Sequence, residues 1–292
     1  MFEKQNDIDN IRLLKSMRFY YSKAKKIKTT ILCISIIIPV LFMTYRYLKN
    51  IEDTTLGIDV MLISLSLIWI LISYFLDKWA NQLIVYGSKI QEKFDINVLD
   101  IKENDVLILN DINEEVIYDG EKNFKEDISN LYHWYGNNYL NAPHYLKVLI
   151  AQRMNIMWGN ELKQKFKYLI YILFSLLIII PTTIASIKEL SFNDTLLFLI
   201  LPMIPLYFIA LRGIIIIRKQ ISNNETINKK ILKDCKNIDA EVANRCRKYQ
   251  DYIYQENRVN SILIPDWFFN IVRDKMNDKL IETNNKILKK YK

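Results

Sequence analysis

Residue types that commonly carry chemistry are few and scattered in this sequence of 292 residues. Cys33, Cys235 and Cys246 form no C-x-x-C pair. His133 and His144 have no clustered carboxylate or cysteine to complete a metal site. The chain has no P-loop, G-x-S-x-G, H-E-x-x-H or dinucleotide-binding glycine pattern, and its six glycines leave little material for a phosphate-cradling loop. We therefore predict a protein that is not an enzyme, with reduced structural cysteines and neither a metal nor a cofactor.

Hydrophobic residues make up 51% of the chain and are concentrated in four uncharged runs, at residues 29–45, 60–76, 168–187 and 195–211. A helix of about 20 apolar residues crosses a hydrocarbon core of about 30 Å, so each run is long enough, or nearly so, to span a membrane. The runs lack the alternation that is typical of barrel strands. The sequence predicts an all-α membrane protein with two transmembrane helical hairpins. A buried core helix is the alternative reading for the three shorter runs.

Lysine and arginine lie mostly at one end of each predicted span. Eight of them precede the first run, whereas only Arg46 and Lys49 lie between the first two runs and only Lys188 between the last two. The positive-inside rule then places both termini and the middle section in the cytoplasm. The formal net charge of +8 reflects this topology and contact with anionic lipid rather than nucleic-acid binding, since no DNA- or RNA-binding motif accompanies it. Because the first run contains Pro39 and no small-residue cleavage pattern follows it, we expect no cleaved signal peptide.

The spans divide the chain into five segments. We predict a basic cytoplasmic arm, a first transmembrane hairpin, a cytoplasmic helical segment, a second hairpin and a cytoplasmic helical tail, at residues 1–28, 29–76, 77–167, 168–211 and 212–292. Apolar residues at three- and four-residue steps extend the second span as a helix, and another helix is expected to run from Pro143 into the third span. The same spacing over residues 227–253 predicts an amphipathic tail helix. Residues 105–110 are either a short strand or a helix edge.

The stretch LIPDWFFNIVRDKM, residues 263–276, is apolar and aromatic within a tail rich in Lys, Asn and Asp. Pro265 is expected to end the preceding helix and Asp266 to cap the next one. The apolar stripe of that helix falls on Phe268, Ile271, Val272, Met276 and Leu280. Packing onto the other cytoplasmic helices, with Trp267 as a main contact, is favoured over insertion of Trp267 into the lipid interface, because residues 273–275 carry both signs of charge.

Four motifs resemble a known family. They are KIQEKFD (89–95), QRMNIMWGNELKQKF (152–166), RKYQDYIYQENR (247–258) and LIPDWFF (263–269). Together with the order of basic arm, hairpin, cytoplasmic helices, hairpin and helical tail, they resemble the SMODS-associated four-transmembrane effector family of bacterial anti-phage systems. The chain departs from the family pattern at Gly159 and Lys163, where an aspartate and an arginine are expected.

The resemblance implies a membrane effector in the bacterial inner membrane. A cyclic oligonucleotide, made by a partner cyclic nucleotide synthase, would bind on the cytoplasmic side, and subunits would associate in the lipid bilayer to form a pore or disrupt the membrane, causing cell death. DNA and RNA are not expected partners. A regulated channel or transporter unrelated to defence, or a non-conducting scaffold, is the alternative. The absence of charge within the spans argues against a proton-coupled transporter.

The resemblance also implies where the ligand binds. A polyanionic nucleotide needs arginine forks for its phosphates and aromatic faces for its bases. The residues of these types in the motifs are Arg153, Trp158, Arg247, Arg258 and Trp267. The remaining motif residues are expected to be structural, namely Asn155, Gln250, Asp251, Pro265 and Asp266. For each arginine the alternative is a structural ion pair, for example with Asp251 or Asp266.

Overall fold

The computed structural model describes residues 2–48, 56–104, 112–135 and 142–291, and every regular element within these ranges is a helix. The α-helices are α1 (Ile8–Leu48), α2 (Leu56–Leu99), α3 (Glu114–Lys122), α4 (His144–Ile187), α5 (Phe192–Asp194), α6 (Ile204–Lys236), α7 (Val242–Tyr252) and α8 (Asp266–Tyr291). Single 3-10 turns lie at Phe2–Asn6, Ile128–Leu131 and Leu201–Met203, and π-helical segments at Thr195–Ile200 and Ile253–Val259. The prediction of an all-helical protein is confirmed for the described part of the chain.

The chain divides into two compact units. The first unit comprises Met1–Lys25, Asn81–Gln164 and Lys219–Lys292, and the second comprises Lys26–Ala80 and Lys165–Arg218. All four uncharged runs belong to the second unit. Helices α1, α2, α4 and α6 each contribute residues to both units.

Three described helices are long and apolar enough to cross a membrane: Ile8–Tyr45, His144–Ile187 and Leu201–Lys236. They contain the whole of the first and third predicted spans and residues 201–211 of the fourth, whose first six residues, Thr195–Ile200, are π-helical. The second predicted span, residues 60–76, lies on α2, where Leu67, Leu71 and Phe75 have exposed side chains. The turn of the first predicted hairpin, residues 49–55, lies outside the described residues.

The cytoplasmic helix predictions hold for two segments and fail in part for the third. Helix α2 continues to Leu99, and α4 begins directly after Pro143, as the periodicity predicted. In the tail, the buried Ile231 and Val242 confirm the predicted stripe, but Ile238 is exposed because the chain leaves the helix between α6 and α7. The residues 105–110, expected as a strand or a helix edge, lie outside the described residues.

Two of the long helices end with the same backbone device. After α2, Asp100 adopts a left-handed conformation with a φ of 54°, and the amide of Ile101 donates to the carbonyl of Ile96 at 3.4 Å. After α4, Glu189 has a φ of 50°, and the amide of Leu190 donates to the carbonyl of Ala185 at 3.0 Å. These are Schellman caps, which give partners to carbonyls that the helix end leaves free. Neither residue is glycine, so neither helix end is visible in the sequence.

Helix α3 packs on α1 at a point where only glycine fits. A Cβ on Gly120 would lie 2.1 Å from the Ser16 hydroxyl oxygen and 2.9 Å from the Ser16 Cα, closer than van der Waals contact allows. Polar contacts flank this approach: the Tyr20 hydroxyl donates to the Val116 carbonyl at 2.9 Å, and Arg12 lies 3.0 Å from a carboxylate oxygen of Glu121. The close approach thus fixes the position of α3 along α1.

In the second unit, α1 and α2 contact each other through one buried polar pair. The Trp69 indole nitrogen donates to the Ser35 hydroxyl at 2.9 Å, and both residues are buried. Around this bond Ile31, Ile38 and Trp69 form an apolar cluster. The bond gives the indole N–H a partner in a region that the chain fills almost wholly with hydrocarbon.

Helices α4 and α6 contact each other at a proline. Pro181 has no amide hydrogen, so the carbonyl of Leu177, four residues earlier, loses its helical partner. The Tyr207 hydroxyl, on α6, donates to that same carbonyl at 2.8 Å. Leu177 and Tyr207 also pack against the buried side chains of Met203 and Leu199. A side chain from one helix therefore supplies the hydrogen bond that proline removes from another.

We expect Tyr207→Phe to destabilise the protein by about 1–2 kcal/mol, because it leaves the Leu177 carbonyl without a donor in an apolar setting. The measurement is thermal unfolding in detergent for a double-mutant cycle with Pro181→Ala. In the Pro181→Ala background the restored amide supplies the bond, so Tyr207→Phe should cost little. Equal costs in the two backgrounds would contradict this account.

Candidate functional site

The largest group of buried charges lies in the first unit. Glu92 and Asp95 on α2 have no exposed surface, and Arg258, in the π-helical segment after α7, is also buried. Arg247 and Gln250 on α7 complete the group. We refer to these five residues as the buried charge cluster. Its two carboxylates and two guanidinium groups make it formally neutral.

Arg258 joins the two carboxylates of the cluster. Its Nη1 lies 3.1 Å from Glu92 Oε2, and its Nη2 forms a further ion pair with Asp95 Oδ2. Arg247 Nη2 pairs with the other oxygen of Glu92, Oε1, at 2.6 Å. The Gln250 amide donates to Glu92 Oε2 at 2.8 Å and to Asp95 Oδ2 at 2.9 Å. The fourth carboxylate oxygen of the cluster, Asp95 Oδ1, accepts from Tyr135. All four carboxylate oxygens therefore have partners.

Further side chains tie the cluster to α4 and to the segment before it. The Tyr135 hydroxyl donates to Asp95 Oδ1 at 2.6 Å and accepts from the Asn155 amide at 3.0 Å. The Gln152 amide donates to the Cys246 carbonyl at 2.7 Å and to the Gln250 side-chain oxygen at 3.3 Å. The cluster therefore connects α2, α4, α7 and the π-helical segment within the first unit.

Burial dominates the electrostatics of the cluster. Loss of water raises the pKa of Glu92, an effect that Arg258 and Arg247 partly oppose. Burial alone would lower the pKa of Arg258, but the adjacent Asp95 and Glu92 outweigh it and the pKa rises. Burial and the neighbouring Asp95 raise the pKa of Tyr135 well above its ordinary value. Tyr135 and Arg258 thus remain protonated and keep donating to the carboxylates.

Two of the predicted ligand-binding arginines are therefore held in ion pairs. Arg258 pairs with Glu92 and Asp95, and Arg247 pairs with Glu92 and, at 2.8 Å, with Asp251. The pair with Asp251 is the structural alternative that the sequence left open. Sequence reasoning missed both carboxylates as site residues. Their three-residue spacing in KIQEKFD, which puts them on one helical face, is the signal that was available.

The other predicted ligand-binding residues lie at different positions of the first unit. Arg153 is buried and donates to the side-chain oxygen of Asn284 on α8. The Trp158 ring packs against Phe269 of α8, with the ring centroids 5.1 Å apart. Both residues thus connect α4 to the tail helix. Their contacts are distinct from those of the buried charge cluster.

The prediction that Trp267 is a main packing contact is wrong. Trp267 is 55% exposed and stands edge-on to Phe268, whereas Phe269 makes the contact with α4. The predicted stripe is confirmed at Met276 and Leu280, which are buried, and is wrong at Ile271, which is exposed. Successive side chains point about 100° apart around a helix, and here Phe269 rather than Trp267 points toward α4.

The prediction that Asp266 caps α8 also needs correction. The amide of Phe269 donates to the carbonyl of Pro265 at 3.1 Å, so Pro265 occupies the cap position and Asp266 is the first helical residue. The Asp266 carboxylate instead pairs with Lys25 on α1. The preceding helical segment ends at Val259, several residues before the proline.

A second buried polar group surrounds Lys163, one of the two departures from the family pattern. The Lys163 ammonium donates to the Asn257 side-chain oxygen at 3.2 Å, and Asn257 exchanges hydrogen bonds with Asn224 at 3.0 Å in each direction. Asn224 also donates to Asn160 at 3.3 Å. Burial lowers the pKa of Lys163 to about 8, although Glu256 acts in the opposite direction. The cost of burying this cation is therefore only partly offset.

The cysteines and histidines form no chemical centre within the described ranges. No group of three or more His, Cys, Asp or Glu residues there could hold a metal ion. Cys235 and Cys246 are buried, and loss of water raises the pKa of each thiol to about 12. Both thiols are therefore protonated and unreactive at neutral pH. The surroundings of Cys235 and Cys246 are those of a structural core.

These features define a helical membrane protein whose charged first unit is built around a buried charge cluster. The chain matches the SMODS-associating 4TM effector domain over residues 1–287, and it belongs to that family. It is 35% identical to a protein of Bacillus cereus (strain VD146) named "Probable CBASS effector molecule", with 99% of both chains covered. No solved structure matches the chain. The family match confirms the resemblance of the four motifs.

We expect Arg258→Met to destabilise the folded protein by about 3–5 kcal/mol, because it leaves Glu92 and Asp95 buried with too little positive charge. The measurement is the yield of folded protein and its thermal unfolding in detergent. Arg245→Met is the matched control, since Arg245 is partly exposed and its partners, Asp234 on α6 and Asp239, both retain exposed surface. Adding Asp95→Asn to Arg258→Met should recover part of the loss, and a loss no greater than that of the control would contradict the role of the cluster.

We expect Lys163→Met to stabilise the protein in a pH-dependent way. The Lys163 pKa of about 8 lies below the ordinary value of 10.5. Below pH 8 both folded and unfolded states hold the proton, and the folded state bears the full cost of the buried cation. As pH rises from 8 to 10.5 the folded state loses its proton first, so that cost disappears.

The advantage of Lys163→Met over the wild type should be about 3 kcal/mol near pH 7 and vanish above pH 10.5. Thermal unfolding at a series of pH values measures it. Lys279→Met changes an exposed lysine that pairs with Glu161 and serves as control. A stabilisation that stays constant across the range would show that the charge of Lys163 is irrelevant.

Proposed function

We propose that this protein permeabilises the bacterial inner membrane when a cyclic oligonucleotide binds to its first unit. The observation that carries the proposal is the match to the anti-phage effector family over residues 1–287, in a chain with at least three helices suited to spanning a membrane. The CBASS relative supports a signal made by a nucleotide synthase. Residues 60–76 form the second of four spans, and both termini and residues 77–167 lie in the cytoplasm.

The spans themselves support an assembly of several subunits as the permeabilising species. The uncharged runs contain no ionised side chain that would line an ion path within one chain. The hydroxyls of Ser35 and Tyr207 already bond to Trp69 and to the Leu177 carbonyl. A conducting or leaking path therefore forms between subunits, or by disruption of the lipid around them. Loss of membrane integrity then causes cell death.

Within the first unit, Arg247 is the member of the buried charge cluster that an arriving phosphate reaches most readily. Its side chain is 12% exposed, and the Asp251 carboxylate that pairs with it is 28% exposed. Arg247 also donates to the carbonyl of Lys102 at 3.1 Å. We propose that a phosphate of the ligand displaces Asp251 from Arg247, while Arg258 keeps Glu92 and Asp95 neutralised. Arg153 and Trp158, which contact α8, reach the ligand only if α8 moves.

We expect cells that express this protein with an active cyclic nucleotide synthase to depolarise and admit a membrane-impermeant dye. Cells with an inactive synthase should stay intact. Flow cytometry with a potential-sensitive dye and a DNA stain measures both. Intact membranes in the presence of confirmed nucleotide production would favour a non-conducting scaffold, and leakage that is independent of the synthase would favour an unrelated channel.

In the same assay we expect Asp251→Asn to permeabilise cells at a level of synthase induction several-fold lower than the wild type needs. The reason is that the carboxylate that competes with phosphate for Arg247 is gone. Asp239→Asn is the matched control, since Asp239 pairs with Arg245 at 2.9 Å elsewhere in the first unit. An unchanged response of Asp251→Asn, with normal protein abundance, would rule out displacement of Asp251 as the binding step.

A further inference from the structure

The first turns of α8 leave an apolar face uncovered. Trp267 is 55% exposed and Ile271 is 72% exposed, and their four-residue spacing puts them on the same side of the helix. Phe269, by contrast, faces Trp158 and the Lys25 ammonium. The helix therefore has one aromatic side chain packed against the protein and another directed away from it.

Contacts with Lys25 place this face close to the predicted membrane surface. Asp266 forms an ion pair with Lys25, and Lys25 lies on α1 only four residues before the first uncharged run, 29–45. Four residues of α-helix rise about 6 Å. The headgroup layer on each side of a bilayer is about 5–8 Å thick, from the difference between total and hydrocarbon thickness. If residues 29–45 cross the hydrocarbon core, Lys25, and with it the Asp266 carboxylate that pairs with it, lies at the level of the headgroups.

The chemistry of this face suits a lipid headgroup layer. An indole combines a large apolar ring with an N–H donor, so tryptophan concentrates where hydrocarbon meets water. The Asp266 carboxylate, which would otherwise be repelled by anionic lipid, is paired with Lys25. The exposed Lys26 adds a cation at the same position of α1.

The predicted cytoplasmic ends of two other spans carry the same side-chain types. Trp79, 46% exposed, follows the run that ends at residue 76. Tyr168, 63% exposed, begins the third run, and the Lys167 ammonium lies 5.1 Å from its ring centroid. Exposed aromatic residues next to lysines at span ends are typical of an interfacial belt. Trp267 extends that pattern to a helix that does not span.

We propose that Trp267 and Ile271 insert into the cytoplasmic headgroup layer, so that α8 is an interfacial helix anchored in the same bilayer as the spans. This proposal rests on the assignment of residues 29–45 as a span with its start on the cytoplasmic side. The occupant of the exposed face is lipid. A second copy of this chain covering the same face is the competing outcome of the test.

The test uses the full chain in lipid nanodiscs that contain phospholipids brominated either near the headgroup or near the chain terminus. Bromine quenches tryptophan fluorescence by contact. The wild type is compared with Trp267→Phe, and Trp134→Phe is the matched control, because Trp134 packs against Phe94 and lies under Arg18 in the first unit. The difference between wild type and each variant isolates the fluorescence of the replaced tryptophan.

We expect the Trp267 component to be quenched strongly by bromine near the headgroup and less by bromine near the chain terminus, and the Trp134 component by neither. Ile271→Asn should reduce quenching of Trp267 by about half or more. A Trp267 component with water-like emission and no quenching overturns the proposal. A blue-shifted, unquenched component that changes when nanodiscs hold one or several copies assigns the face to a second copy and also overturns it.

The remaining tryptophans separate this proposal from the function proposed above. Trp79, at the end of a predicted span, reports on insertion of the spans in every sample. If bromine quenches the Trp79 component but not that of Trp267, the spans are inserted and the interfacial helix alone is disproved. If bromine quenches neither the Trp79 nor the Trp267 component, the assignment of the spans fails together with the interfacial helix.

Discussion

The architecture of the first unit depends on the neutralisation of two carboxylates that have no access to water. An ionised carboxylate in a protein interior costs several kcal/mol unless cations and hydrogen-bond donors surround it. Glu92 and Asp95 therefore require Arg258 and Arg247, and these arginines come from chain segments more than 150 residues away. The π-helical segment that carries Arg258 departs from regular α geometry at this position, where such departures often mark functional constraint. The carboxylates of α2 are therefore neutralised only when the tail packs against them.

The second unit faces the opposite constraint, because it contains little charge and few polar groups. Its spans satisfy nearly all their backbone groups internally, and the exceptions are created by proline. Between α4 and α6 a tyrosine hydroxyl donates to the carbonyl that the proline leaves free. Between α1 and α2 an indole N–H donates to a serine hydroxyl. In both places a hydrogen bond between two helices helps to set their register, and between α1 and α2 the ion pair of Lys28 with Asp77 adds to it. Apolar packing alone, as around Ile31 and Ile38, is far less selective.

Periodicity and apolar runs predicted the helices well, because helix formation depends on neighbours a few residues apart. Helix α4 follows from its unbroken pattern, and the buried face of α7 from its three- and four-residue spacing. The break after α6 was not predictable, since the sequence KNIDAE contains neither proline nor glycine. The partners of the arginines were not predictable either, because whether Arg258 faces a ligand or a carboxylate depends on contacts across the whole unit. For α8, the sequence offered Trp267 and Phe268 as the aromatic contacts, and only the structure shows that Phe269 packs against Trp158 on α4.

The hydrogen bond between the Tyr207 hydroxyl and the Leu177 carbonyl determines whether the kinked helix excludes water from the membrane. The bond closes a polar gap that Pro181 opens in a helix, and the hydroxyl that closes it belongs to a different helix. Any movement that draws α6 away from α4 removes this donor and leaves the carbonyl inside hydrocarbon, where an unpaired carbonyl attracts water. The kinked helix α4 thus excludes water while it packs against α6, and water first enters at the Leu177 carbonyl once the two helices separate.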